Sequence, residues 1–220
     1  MKKVLGSFLL AAAQLAFAQS ARNVGEFSSL KVYDKLNISL IKSDNSRVEL
    51  EQENPDVETV NKNGELKIRM APAKILQGGN VSVVVYYENL RDIQASQGST
   101  IVADHDLDSR MLTLVSNEGS VIELPVRTAK LTVKANSAGE IKLNGVADSQ
   151  DVVVNAGGKY FGEKVNSENV KVTANAGGQA EVNVSGSVDA TTRAGGIIDI
   201  YGNPEDRKVR NVIGGKITFK

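Results

Sequence analysis

Along most of the chain, apolar and polar residues alternate, and the alternation returns in the same phase about every 20 residues. Apolar pairs separated by one polar residue recur as Ile141/Leu143, Ala180/Val182, Ile198/Ile200 and Ile217/Phe219, with Lys142, Glu181, Asp199 and Thr218 between them. Triplets with the same two-residue period precede them: Leu131/Val133/Ala135, Val170/Val172/Ala174 and Val188/Ala190/Thr192. Between triplet and pair lie small-residue turns, Asn136-Ser137-Ala138-Gly139, Asn155-Ala156-Gly157-Gly158, Asn175-Ala176-Gly177-Gly178 and Arg193-Ala194-Gly195-Gly196. Taking Gly98, Gly119, Gly139, Gly158, Gly178, Gly196 and Gly215 as anchors gives spacings of 21, 20, 19, 20, 18 and 19. A two-residue period places each set on one face of a strand, and turns of this kind need positive φ, which Gly and Asn accept cheaply.

A strand–turn–strand unit of this length cannot bury its apolar face alone, so a fixed period predicts stacking. The prediction is an all-β solenoid whose seven anchors span roughly 30 Å at the usual strand spacing. No stretch after the N-terminus has convincing helical periodicity, and Val, Ile and Thr fill the strand positions. Asn136, Asn155 and Asn175 fall at equivalent turn positions, where stacked amides can hydrogen-bond along the axis. The Gly-Gly pairs open no helix, which argues against phosphate-cradling loops. Ahead of the repeats, Phe27–Tyr33, Leu36–Lys42, Arg47–Glu51, Leu66–Met70 and Val81–Tyr87 read as strands in antiparallel hairpins, a region suited to capping one end of the stack. At the other end Lys216–Lys220 reads as a last strand that nothing covers.

The N-terminus changes the setting. Lys2 and Lys3, a short apolar run to Phe17 and the pattern Ala16-Phe17-Ala18 make a cleavable secretory signal over residues 1–18, with the mature chain expected to begin at Gln19. The run is too short for a transmembrane helix, and no Cys near the cleavage site could carry a lipid. Losing Lys2 and Lys3 turns a balance of 26 basic and 26 acidic side chains slightly acidic, which disfavours nucleic acid as a partner. The absence of Cys excludes disulfides, thiolate metal sites and a cysteine nucleophile. No linker composition divides the rest, read as an N-terminal strand region over 19–90 continuous with solenoid repeats over 91–220.

Three features together carry a resemblance: the run Val81–Tyr87 followed by Asn89-Leu90-Arg91-Asp92-Ile93-Gln94-Ala95-Ser96-Gln97-Gly98-Ser99, the recurring small-Gly turns, and the closing Ile200-Tyr201-Gly202-Asn203-Pro204. Over about residues 27–220 the chain resembles the GIN-domain proteins, autotransporter-adhesin heads common in Bacteroidetes. The resemblance implies a right-handed β-helix-like fold, a place in the envelope or outside the cell, and no catalytic residues. No β-barrel translocator pattern follows Lys220, so autotransport by this chain is not expected, and adhesion is an analogy of fold.

Candidate chemistry is sparse. Asp104, Asp106 and Asp108 alternate on one strand face and offer oxygen ligands to a hard cation such as Ca²⁺, although Ser109 and Val115 break the EF-hand pattern and a solvated connection between rungs is the plainer account. His105 is the single histidine and reads as a surface imidazole. The outward column Lys142, Phe161, Glu181, Asp199 carries the strongest binding signal. An aromatic among charges can stack on a sugar or anchor a protein, while cover by a loop over Gly162–Asn169 would explain it structurally. Glu181 and Asp199 on neighbouring rungs match the carboxylate spacing of a retaining glycosidase, yet any charged solenoid face produces such pairs, and no insertion walls a cleft. The expectation is therefore a binding module for a surface protein or glycan, without cofactor or catalysis; a polysaccharide-active enzyme and a structural envelope protein are the alternatives. Tyr160 is expected inward against small Ala180. Lys216, Ile217, Thr218 and Phe219 form a candidate assembly edge for a second copy or a neighbouring envelope component, with only the lysines to protect it.

Overall fold

The computed structural model describes residues 20–50 and 54–220; the expected signal segment lies outside them. Strands come first in short pieces: β1 (Ser20–Asn23), β2 (Ser29–Val32), β3 (Asn37–Lys42), β4 (Arg47–Leu50), β5 (Val57–Lys62), β6 (Glu65–Met70), β7 (Ser82–Tyr87), β8 (Asp92–Ala95), β9 (Thr100–Val102), β10 (Leu107–Asp108) and β11 (Met111–Asn117). Four long strands follow, β12 (Val121–Asn136), β13 (Glu140–Asn155), β14 (Lys159–Asn175) and β15 (Gln179–Arg193), then β16 (Ile197–Tyr201), β17 (Asp206–Val212) and β18 (Lys216–Phe219). The result is an all-β solenoid with rungs of about 19 residues and no α-helix among the described residues.

Each long strand leaves one tight turn, bends, and reaches the next turn one layer on, so its two halves belong to two faces. One face runs β5, β6, β2, β8, β11, the C-terminal halves of β12 to β15, and β17. The other runs β1, β4, β7, β3, β9, the N-terminal halves of β12 to β15, β16 and β18. From β2 and β3 toward the C-terminal end of the stack, every pairing is parallel. The inward columns are those the alternation predicts. Leu66, Leu30, Ile93, Leu114, Val133, Val152, Val172 and Ala190 lie in register on one face, all buried. Ile38, Ile101, Ile122, Ile141, Tyr160, Ala180 and Ile198 do so on the other, and the two columns meet in one continuous core. Tyr160 faces Ala180 as expected. Its hydroxyl donates to Gln150 Oε1 at 2.7 Å, and Gln150 Nε2 donates to Ser167 Oγ at 2.7 Å, which gives these buried polar groups partners inside the core.

The N-terminal cap is more mixed than a set of hairpins. β5 and β6 do form an antiparallel hairpin through Asn63 and Gly64, both at positive φ. β4 is antiparallel to β1 and β7. β2 and β3, however, stack parallel between β6/β7 and β8/β9, so the first rung in sequence is not the outermost in space.

The turns refine the repeat. In Asn155-Ala156-Gly157-Gly158 the N–H of Gly158 donates to the Asn155 carbonyl at 2.9 Å, while Ala156 (φ 49°) and Gly157 (φ 71°) are the left-handed pair. Positive φ at both central residues is the mark of a type I′ turn. The same geometry holds at Ala176/Gly177 and Ala194/Gly195. Gly158 and Gly178 thus follow the left-handed pair, contrary to the sequence reading, and are glycine for a different reason: a Cβ on Gly178 would lie 2.6 Å from the carbonyl oxygen of Val154 in the adjacent rung. Gly98 and Gly119 occupy the preceding turn position, with Ser99 and Ser120 where later rungs have Gly. The expected amide ladder is present and longer than expected: Asn175 donates to Asn155 (2.8 Å), Asn155 to Asn136 (2.8 Å) and Asn136 to Asn117 (3.0 Å).

Candidate functional site

Strict parallel register brings the predicted outward residues together. Glu123, Lys142, Phe161, Glu181, Asp199 and Thr218 are successive cross-strand partners in one column along the axis. Phe161 is half-buried on the outside of β14, with Lys142 Nζ 6.0 Å from its ring centroid. Lys142 also pairs with Glu140 at 2.7 Å. Residues 162–169, read from sequence as a loop, continue β14, but the register slips between Gly162 and Asn166. The slip has a packing cause, because Gly162 lies directly against the Tyr160 ring and leaves no room for a side chain.

The slip also sets the position of Glu163, which sequence reasoning missed because its signal is a break in the period. Its Oε2 is buried without a hydrogen-bond partner among the described residues. Burial holds the Glu181 carboxyl above its ordinary range, Glu163 and Asp199 push it the same way, and Lys220 opposes them. Lys220 Nζ lies 3.3 Å from Asp199 Oδ2. The column therefore presents an aromatic ring between a cation and a crowded group of carboxylates. Around the bend, an open groove of about 610 Å³ follows the column Lys130, Ser149, Asn169, Ser187 and Asp206, with the two residues after each of the last four also lining it. Nothing in the alternation marked that groove, because it forms where the alternation is interrupted.

The three aspartates do not converge on one point. Asp104 Oδ1 is 3.2 Å from His105 Nδ1, Asp106 pairs with Arg127 at 3.0 Å, and Asp108 lies opposite Arg127 in the ladder. No group of three or more His, Asp or Glu side chains suited to a metal ion occurs among the described residues. His105 is half-buried, stacked on Tyr87 with Nε2 3.0 Å from its hydroxyl, so it pins the connection that carries Asp104 and Asp106. Burial pushes the Tyr87 hydroxyl up to about 12.

At the C-terminal end, Lys216 is exposed, Ile217 and Thr218 are half-buried, and Phe219 is 37% exposed. The guanidinium of Arg207 lies 4.5 Å from the Phe219 centroid. That cover comes from β17, which sequence reasoning did not identify. β17 puts Arg207 and Asn211 in the inward column beyond Val188 and Thr192, and adds Lys208 and Arg210 to the edge charges.

A family model described as "Putative auto-transporter adhesin, head GIN domain" matches residues 26–204. The chain belongs to this family. Its fold is shared with the crystal structure of "a putative adhesin" from Bacteroides fragilis NCTC 9343, at 18% identity and a TM-score of 0.82, covering 91% of this chain and 95% of that one. A "putative adhesin" from Parabacteroides distasonis ATCC 8503 is similar at 16% identity and TM-score 0.73, covering 92% and 96%. A "Putative lipid binding protein" from the same organism is similar at 15% identity and TM-score 0.67, covering 91% and 95%. Likeness at these identities is one of fold, and the different wording for one fold fits the rule that a scaffold does not name its ligand. No curated protein matches the chain. No helix among the described residues is long and apolar enough to cross a membrane.

Proposed function

We propose that this GIN-domain chain is an exported surface-binding module that holds a protein or glycan partner against the Lys142–Phe161–Glu181–Asp199 column and does no chemistry on it. One observation carries the reading: the register sets a half-exposed aromatic between a cation and carboxylates on a rigid face. An aromatic face flanked by polar groups suits stacking on a sugar ring or anchoring a protein side chain. Family membership supports a surface role, and the Lys2–Ala18 pattern supports export.

The test is a glycan array and a surface-protein pulldown with the secreted chain, beside Phe161→Ala and the pair Glu181→Ala with Asp199→Ala. Binding is expected to fall about tenfold or more in Phe161→Ala, the size of a modest interface anchor. Unchanged binding in that variant removes the column from the reading. A polysaccharide-degrading activity that disappears in the double carboxylate variant would replace the binding module with an enzyme.

A further inference from the structure

Elsewhere on its surface this fold covers an aromatic ring with an arginine. The Arg47 guanidinium lies over the Tyr86 ring, 3.4 Å from the centroid, and pairs with Glu49 at 2.8 Å. The Tyr86 hydroxyl donates to the same carboxylate at 3.0 Å, so ring, guanidinium and carboxylate form one closed unit. Phe219 carries the Arg207 guanidinium at 4.5 Å.

Phe161 has the ring and the carboxylates but no arginine. Glu181 is its cross-strand partner on β15, and Asp199 follows in the same column. Lys142, its partner on β13, stands 6.0 Å from the centroid, at the outer limit of about 6 Å for a cation–π contact, and is committed to Glu140 at 2.7 Å. Lys220 is committed to Asp199 at 3.3 Å. Among the described residues neither Glu163 nor Glu181 makes an ion pair, and Glu163 Oε2 has no donor. Burial, with Glu163 and Asp199 beside it, holds the Glu181 carboxyl above its ordinary range, and a further cation here would relieve that crowding of charge.

Resting on the column as the binding face, we infer that the partner is a protein and that it inserts an arginine side chain between Phe161 and the Glu181 and Glu163 carboxylates. The partner's arginine takes at Phe161 the place that Arg47 takes at Tyr86. A guanidinium is planar, stacks on an aromatic face and offers a carboxylate two parallel N–H donors, whereas an ammonium is a compact point charge without that fork. A neutral sugar could stack on Phe161 and supply hydroxyl donors, but it would cover two carboxylates without matching their charge.

Beyond residue 18 the only phenylalanines are Phe27, Phe161 and Phe219, so the secreted chain grown on 4-fluorophenylalanine gives a simple fluorine spectrum. Phe161→Leu identifies the resonance that reports on the column, with buried Phe27 and arginine-covered Phe219 as internal references. The probe is acetyl-Gly-Arg-Gly-amide at low salt, beside the same peptide with lysine, the same peptide with citrulline, which keeps the shape and loses the charge, and free glucosamine. The Phe161 resonance is expected to move saturably with the arginine peptide in the roughly millimolar range, and the other three probes to bind about tenfold more weakly or less. Glu163→Gln with Glu181→Gln should weaken the arginine peptide about tenfold while thermal melts show the fold retained. An unmoved Phe161 resonance, an equal response to citrulline, lysine or glucosamine, or a titration unchanged in the double variant each overturns the inference. In the pulldown, a protein lost with Phe161→Ala but kept by the double glutamine variant overturns it and leaves the column standing. Capture independent of Phe161 removes the column and the inference with it.

Discussion

Adjacent glycines in the Asn175-Ala176-Gly177-Gly178 turn do different work, and one substitution at each separates them. Gly177 has φ 72°, and a Cβ there would meet nothing within 4 Å. The cost of Gly177→Ala is then the left-handed penalty alone, about 1 kcal/mol. Gly178 lacks that backbone constraint, but its Cβ would sit 2.6 Å from the Val154 carbonyl oxygen and 2.8 Å from its carbon. Neither chain can move freely, since Gly178 N–H donates to the Asn175 carbonyl at 2.9 Å and Gln179 N–H to the Gly158 carbonyl at 3.0 Å.

Overpacking between fixed backbones, with one weakened ladder bond, puts Gly178→Ala at about 3 kcal/mol. For a chain of this length the melting temperature should drop by about 3 °C at Gly177 and about 9 °C at Gly178. Gly177→Asn should cost less than Gly177→Ala, because Asn tolerates left-handed backbone. Thermal melts by far-UV circular dichroism, with urea titrations to check that unfolding is a single transition, measure all three. Equal losses at the two glycines, or the larger loss at Gly177, would refute the assignment of strain to one and close approach to the other.

Asn155→Ala removes one accepted and one donated ladder bond, both 2.8 Å, and is expected to cost about 2 kcal/mol in urea denaturation. Glu181 titrates above its ordinary range in the fold, so its charged form is the one folding disfavours: the destabilisation is present at neutral pH and absent below the usual carboxylate range. Glu181→Gln should therefore raise the melting temperature at neutral pH and leave it unchanged in acid, as parallel melts across pH would show.

The alternation encoded what lies in and what lies out, so the inward columns, the Phe161 column and the Tyr160–Ala180 pair were all legible. It did not encode strand direction. β2 and β3 read the same whether they pair as hairpin arms or stack parallel beneath β6 and β7. Nor could a Gly-Gly pair show which member is left-handed, because that depends on the backbone of the rung beneath. β17 was hidden because Arg207 and Asn211 occupy inward positions, as befits an end that faces water rather than another core layer. Glu163 was hidden by the slip that Gly162 and Tyr160 impose.

In a stack whose inward columns are mostly apolar and whose turns are mostly small or polar, departures from the pattern are where selection for something other than the core becomes visible. Phe161 departs on the outward face, and Leu76 and Ile213 depart on the turn edge.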